Sequence, residues 1–336
     1  MPIVLVPAIT AVFGTTAFIL RRLVSRSWID VRKKQYHEVD GKTIVITGGA
    51  GGLGFETAKD LARRNANVII ACRTTAKGVE AATTISNATG NQNVSCVELD
   101  LSSLASVRDF ISEIQTKYES IDVLICNAGV WVPMEKKLKT KDGYEIHFGV
   151  NHLSHLLIAK SLVPQLEKSV DDGRIVFVSS ELMKQGTITD LESTIYEGRQ
   201  IGATQKKSFL PTGYFDTKLM NALTCKYMTT ILPPTVSTYA VCPGFCRTSL
   251  GRNIVTPLHE KILVAPIMLM IQRTQIQGAQ NICFAAMESK DKLVSGGMYR
   301  DGELMKDQMD YMEGIGGFSE AKKLWDVSEG LLKEQK

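Results

Sequence analysis

An α/β fold, built on a single doubly wound parallel sheet with helices on both faces, is predicted by three features of this 336-residue chain. Six short apolar runs rich in valine and isoleucine recur from residue 42 onward, stretches with helical periodicity separate them, and the first run enters a glycine-dense turn that opens into a helix. Continuous apolar runs are typical of strands covered on both faces. Strand, helix and strand repeated this often imply right-handed crossovers and a parallel sheet.

The runs are KTIVIT (42–47), NVIIAC (67–72), VSCVEL (94–99), DVLICN (122–127), RIVFVSS (174–180) and STYAVC (237–242). Between them, GFETAKDLARR and LASVRDFISEIQTKY carry the helical pattern. A hydrophobic fraction of 44%, a charged fraction of 22% and a net charge of +4 exclude disorder and give no nucleic-acid surface. The seven cysteines are odd in number and mostly embedded in apolar runs, which is the usage of buried thiols in a reducing compartment. Cys242 and Cys246 lack companion ligands, so no metal is expected.

Ahead of the sheet, residues 2–20 carry no charge and as a helix would extend about 28 Å, close to the thickness of a bilayer core. Positive charges follow this run rather than precede it, which favours a retained anchor over a cleaved signal. Arg21, Arg22, Arg26, Arg32, Lys33 and Lys34 then keep the flank, and everything after it, in the cytosol. A helix lying in the membrane interface or against its own domain is the alternative. The expected organisation is an anchor over 1–20, a basic linker over 21–40 and one domain over 41–336.

The turn after the first run places glycines at 48, 52 and 54 as T-G-x-x-x-G-x-G, with Thr47 at its start and Leu53 inside it. Such a turn lets backbone approach a pyrophosphate, whose charge rests on the free N–H groups and positive end of the helix. A tight connection alone would also use glycine. The second run ends at Cys72 and Arg73, where an acidic residue would bond a ribose 2'-hydroxyl; an arginine suits a 2'-phosphate instead. NADP(H) is therefore expected over NAD(H), the bland reading being a surface cation at a helix start capped by Thr74 or Thr75.

Tyr214 and Lys218 lie four residues apart in YFDTK, a spacing that puts both on one helix face. A free tyrosine, with a pKa of about 10, is a poor base near neutrality. A neighbouring ammonium and an oxidised nicotinamide would favour the phenolate. Taken alone, the match is one that chance supplies.

Eight elements in order remove that ambiguity: TGGAGGLG, the ACR ending, DL at 100–101, NAG at 127–129, FGVNHLSH at 148–155, RIVFVSS, YFDTK and PGFCRT at 243–248. With them the chain resembles the short-chain dehydrogenases/reductases, whose sheet is Rossmann-type, and more narrowly their membrane-attached retinol dehydrogenase group. The resemblance covers roughly residues 41–300. It implies that Tyr214 is the acid or base, that Lys218 also binds the nicotinamide ribose, that Ser180 bonds the substrate oxygen in preference to Ser179, and that Asn151 holds a relay water. It further places Thr47, Gly48, Gly52, Leu53, Gly54, Arg73, Asp100, Leu101, Asn127, Ala128, Gly129, Pro243, Gly244 and Thr248 at the cofactor, Asp100 near adenine and Thr248 at the carboxamide. For Asn151 a buried amide bonded to backbone is the alternative. His152 and His155 have a spacing seen in metal sites, but the resemblance makes them core or interface residues without metal.

Two segments depart from the pattern. The 33 residues from 181 to 213 exceed the usual connection into the tyrosine, and either shape the substrate mouth or merely lengthen a surface loop. Residues 253–274, rich in Met, Leu and Ile, read either as a substrate lid or as a core helix. With an anchor and an apolar lid, the expected activity is an NADP(H)-dependent oxidoreductase of lipophilic alcohols, aldehydes or ketones, such as retinoids, other isoprenoids, steroids or lipid aldehydes, running reductively. The competing class is a catalytically lapsed, membrane-tethered cofactor-binding scaffold. Endoplasmic reticulum or lipid droplet is the expected location, with the mitochondrial membrane as alternative, and self-association is left open.

Overall fold

The chain is represented by a computed structural model, which describes residues 25, 28–33, 39–198, 211–247, 250 and 271–335. The expected anchor over 1–20, Thr248, residues 199–210 of the long connection and most of 253–274 lie outside the described residues.

Each apolar run forms a strand: β1 (Thr43–Thr47), β2 (Asn67–Cys72), β3 (Val94–Glu98), β4 (Val123–Cys126), β5 (Gly173–Val178) and β6 (Val236–Val241). Helices α1 (Gly52–Ala62), α2 (Thr75–Thr89) and α3 (Leu104–Lys117) link the first four. A π-helical turn over Phe148–Leu153 then runs into α4 (Ser154–Ser161) and a short α5 (Val163–Glu167). Beyond β5 come a 3-10 turn (Glu181–Gln185), α6 (Leu191–Tyr196) and the long α7 (Thr212–Met228). After β6 follow α8 (Gln275–Met287), β7 (Met298–Arg300), β8 (Glu303–Leu304), α9 (Lys306–Gly314) and α10 (Gly317–Glu334).

The strands lie in the order β3-β2-β1-β4-β5-β6-β7-β8, parallel as far as β7. β8 is antiparallel, a departure from the all-parallel expectation. Its cause is local: Asp301 and Gly302, with φ of 55° and 84°, form the two-residue Asp-Gly turn whose twist suits a hairpin. Strand order reverses between β1 and β4, and in sheets of this kind the ligand crevice lies beyond the carboxyl ends of the strands at that point.

The pleat divides the core in two. Val45, Ile69 and Leu124 point to the face covered by α3, α4, α7 and α10, with Phe110, Leu156, Leu219 and Leu324 among the packed side chains. Ile44, Ile46, Val68 and Ile125 point to the face covered by α1, α2 and α8 through Leu61, Ile85 and Ile282. Burial on both faces is why these strands read as unbroken apolar runs.

Within the stretch read as a basic linker, residues 28–33 pack against the second face. Val31 is fully buried, its N–H donates to Gln280 Oε1 at 3.1 Å, and the Ile29 N–H donates to Asp301 Oδ1 at 3.2 Å.

Gly173 opens β5 directly against the backbone carbonyl of Leu166, where an added Cβ would overlap the carbonyl oxygen. Gly173→Ala is expected to lower the unfolding free energy by about 1–3 kcal/mol, as overpacking against unyielding backbone does. Urea denaturation checks it: the midpoint falls at unchanged slope, and an unmoved midpoint would show that α5 yields.

Candidate active site

The crevice floor is the turn from β1 into α1. Gly48 has a φ of 70° and packs against Ala128, while a Cβ on Gly54 would lie 2.5 Å from the Gly48 carbonyl oxygen and 2.6 Å from Asn127 Nδ2. Only glycine permits that approach. On the open side, a Cβ built on Gly51 or Gly52 meets nothing within 4 Å, and neither a capping side chain nor an acidic residue occupies the start of α1. Free N–H groups at a helix start facing open space form a cradle suited to a pyrophosphate. Leu53 packs toward Gly278 of α8 on the opposite side.

Thr47 ties this turn to the next motif. Its Oγ1 accepts the N–H groups of Asn127 at 2.9 Å and Ala128 at 3.0 Å, and Asn127 Nδ2 donates back to the Thr47 carbonyl at 2.8 Å. Oγ1 also lies 2.9 Å from His155 Nε2. His155 Nδ1 is 3.1 Å from the Asn151 carbonyl, which can only accept. The ring therefore carries its proton on Nδ1, and Thr47 donates to a bare Nε2. Burial pushes the His155 pKa down to about 4, keeping the ring neutral as this pattern requires.

Asn151 sits in the π-helical turn, where its amide clamps the chain after Gly129: Oδ1 accepts the Val130 N–H at 2.7 Å and Nδ2 donates to the Val130 carbonyl at 3.1 Å. Nδ2 also lies 3.2 Å from Thr217 Oγ1 on α7. The π-turn thus joins the NAG loop to the helix that carries the tyrosine. His152 is equally buried but turns toward α10, with Nε2 3.1 Å from Ser328 Oγ, and no metal-holding cluster occurs among the described residues.

α7 presents Tyr214 and Lys218 on one face, as their spacing requires. Tyr214 is 7% exposed and Lys218 3%. Lys218 Nζ lies 5.2 Å from the centre of the Tyr214 ring and donates to the Val178 carbonyl at the end of β5 at 2.7 Å. Ser179 Oγ donates to the Lys218 carbonyl at 2.7 Å, locking β5 to α7 and leaving Ser180 as the serine beside the crevice. Ser180 Oγ accepts the Leu182 N–H at 3.2 Å, so its own proton remains uncommitted. Burial raises the Tyr214 phenol above its ordinary value and lowers Lys218 to about 8. Burial thus favours the protonated phenol, opposing the phenolate that a neighbouring ammonium and an oxidised nicotinamide would favour.

The remaining positions line the rim. Asp100 accepts from Ser102 and pairs with Lys141 at 3.0 Å; burial favours its neutral form, but those bonds hold it below the usual range. The Leu101 carbonyl accepts from Ser154 at 2.8 Å. Arg73 is exposed at the end of β2. Thr74 occupies the cap position of α2 without a side-chain bond, and Thr75 Oγ1 instead donates to Glu98 at 2.6 Å. Pro243 and Gly244, the latter with a φ of 78°, follow β6; Gly244 lies against the Arg273 guanidinium, which is fixed by a bidentate pair with Asp301 at 2.7 and 2.6 Å.

Hydrogen bonds and packing join Thr47, Gly48, Gly54, Asn127, Ala128, Asn151, Tyr214 and Lys218 into one network, and further residues contact it. His155 and Thr217 reach the site through hydrogen bonds, and their only sequence signal is position within the NHLSH and YFDTK segments. Trp131 stacks on Tyr214, with ring centres 5.0 Å apart and planes 14° from parallel. Behind it, Glu145 and His147 form a buried pair: His147 Nδ1 meets Glu145 Oε1 at 2.7 Å, and His147 Nε2 accepts the Val132 N–H at 3.0 Å. A cavity of about 250 Å3 between Pro133, Leu138, His147 and Tyr196 borders this pair and contains none of the catalytic positions.

Comparison with known proteins agrees with this geometry. Residues 42–191 match the sequence profile described as short chain dehydrogenase. Human retinol dehydrogenase 14 is 38% identical over 315 residues, covering 87% of this chain and 88% of that protein. The chain belongs to the short-chain dehydrogenase/reductase family. Human retinol dehydrogenase 13 is 33% identical, covering 88% of this chain and 85% of the relative. Among solved structures, an uncharacterized protein from Mycobacterium paratuberculosis superimposes with a TM-score of 0.66 at 29% identity, over 91% of this chain and 98% of its own. L-Sorbose reductase from Gluconobacter frateurii, solved with NADPH and L-sorbose, shares the fold at a TM-score of 0.63 and 18% identity, over 81% and 99% of the two chains. A nicotinamide cofactor and an oxidoreductase activity follow from the family.

Lys218 carries its charge below about pH 8 and loses it above, because burial has lowered its pKa from 10.5. The kcat/KM for NADPH, which reports the free enzyme, is expected to fall as pH rises through 8. Initial rates from pH 6 to 10 test this; a profile flat to pH 10 would show that the charge on Lys218 is not needed.

Proposed function

We propose that this protein is an NADP(H)-dependent reductase of lipophilic aldehydes or ketones, held at a membrane by residues 2–20 with its catalytic domain in the cytosol. One observation carries the reading. Beside the buried Lys218, the Tyr214 hydroxyl and the Ser180 proton have no acceptor among the described residues, so the crevice offers donors to an oxygen it does not itself contain. A carbonyl oxygen fits that arrangement, and an alcohol oxygen leaves it in the reverse direction.

Bound at the glycine turn, NADPH supplies the hydride. Tyr214 gives its proton to the substrate oxygen while Ser180 donates a hydrogen bond to it. Lys218, one helical turn away, then stabilises the phenolate left on Tyr214. Its donation to the Val178 carbonyl fixes the ammonium at the end of β5, and Asn151 keeps the NAG loop and α7 in register.

NADP(H) is favoured over NAD(H) by Arg73, whose exposed guanidinium follows Cys72 at the end of β2 without an ion-pair partner among the described residues. The nearby Glu98 is engaged by Thr75. A lipophilic substrate is supported by the apolar amino-terminal run and by relatives named for retinol. Retinoids, other isoprenoids, steroids and lipid aldehydes share this chemistry. Endoplasmic reticulum or lipid droplet membrane fits an uncleaved anchor. Among the described residues no helix is long and apolar enough to cross a membrane, and residues 1–20 lie outside them.

The full chain in detergent should oxidise NADPH when given all-trans-retinal or decanal. Tyr214→Phe should lower kcat by about 10²- to 10⁴-fold with NADPH affinity retained, and full activity in that variant would remove Tyr214 from the mechanism. In a separate measurement, Arg73→Ala should weaken kcat/KM for NADPH by about ten- to a hundredfold, as expected for losing charge-assisted bonds, while sparing NADH. Equal loss with both cofactors would count against a 2'-phosphate site.

A further inference from the structure

Trp131 lies flat on Tyr214 and follows the NAG loop by two residues. Its indole Nε1 is buried and has no hydrogen-bond partner among the described residues. An orphaned buried N–H is unfavourable, and this one lies on a ring stacked against Tyr214. Indole N–H can only donate. The near-parallel stacking, with centres 5.0 Å apart, places this indole directly against the ring of Tyr214.

We infer that Trp131 is a third substrate-contacting donor, its Nε1–H bonding the oxygen that Tyr214 protonates or an oxygen substituent beside it. This rests on the carbonyl-reductase reading of the site. A neutral carbonyl gains little from an additional donor, whereas the oxygen that accumulates negative charge during hydride transfer gains more, so the contact favours the transition state. No proton leaves Trp131: the bond tightens as charge develops and relaxes once Tyr214 has delivered its proton.

The surroundings are arranged to hold the ring in place. The next residue, Val132, donates its N–H to His147 Nε2, so His147 carries its proton on Nδ1 and gives it to Glu145 Oε1. Glu145 Oε2 accepts the N–H groups of His147 and Phe148 at 2.8 and 2.9 Å, which saturates the carboxylate. A Cβ on Gly213, the residue before Tyr214, would lie 2.9 Å from His147 Nδ1. The same buried pair thus sets the backbone beside Trp131 and the backbone beside Tyr214, fixing the two rings relative to each other.

The test uses the full chain in detergent with 15N-labelled tryptophan. Three indole N–H resonances are expected from Trp28, Trp131 and Trp325, and Trp131→Phe identifies the relevant one by its loss. On saturation with NADP+ plus decanal, or NADPH plus decanol, the Trp131 resonance should move downfield as it gains an oxygen acceptor. An unmoved resonance with both ligands overturns the proposal, whatever the turnover. In kinetics, Trp131→Phe keeps the stacked ring and removes the donor, and should lower kcat for decanal by about ten- to a hundredfold at unchanged KM for NADPH. Trp131→Phe equal to the parent in kcat also overturns it. A shifted resonance in a protein that never oxidises NADPH would instead sink the reductase reading and leave the Trp131 contact standing.

Discussion

The hydroxyl of Thr47 is the junction on which the site depends. It stands at the end of β1, where strand order reverses, and takes two backbone N–H groups from the NAG turn while giving its one proton to His155. Every proton in that chain points the same way, from Asn127 and Ala128 to Thr47, from Thr47 to His155, and from His155 to the Asn151 carbonyl. Reversing any link would set two donors or two acceptors against each other. The order holds only while His155 is neutral, and burial ensures that. A threonine in the glycine turn, a histidine on a helix and a buried asparagine whose amide is bonded to backbone therefore act as one unit, joining the sheet switch point to α7.

The second constraint is burial at α7. Dry surroundings press Tyr214 and Lys218 toward their neutral forms from opposite directions, one keeping its proton more tightly and the other less. The phenol keeps its proton more firmly than a free tyrosine does, while the lysine gives its proton up more easily than a free lysine. A bound substrate oxygen and cofactor change that balance by bringing charge and acceptors into the crevice.

Much of the fold was legible because burial on both faces forces a sequence into apolar runs. KTIVIT and NVIIAC lead to β1 and β2 within a residue, and the glycine spacing leads to the cradle. β7 and β8 were missed because three and two residues cannot show a period, although the Asp-Gly pair at 301–302 marks their turn. The family was legible as an ordered series of motifs. Trp131, His147 and Glu145 were not, since nothing in their spacing distinguishes a loop that packs on the active tyrosine from one that faces water. His155 shows the opposite case. Its spacing from His152 suggests metal ligation, yet the fold directs one ring to Thr47 and the other to Ser328, and only three-dimensional contact separates the two roles.

Trp28 lies over the Arg273 guanidinium at 4.6 Å, and Arg273 in turn backs Gly244 of the loop after β6. The chain is thus fastened to the body of the protein at residue 28, only eight residues beyond the last of the uncharged run. Eight residues fully extended reach less than about 30 Å. If that run sits in a bilayer, the domain has a leash shorter than its own diameter and cannot turn freely. The loop that Gly244 belongs to is then always close to the lipid surface, and a substrate dissolved in the membrane has a short path to the crevice without crossing open water.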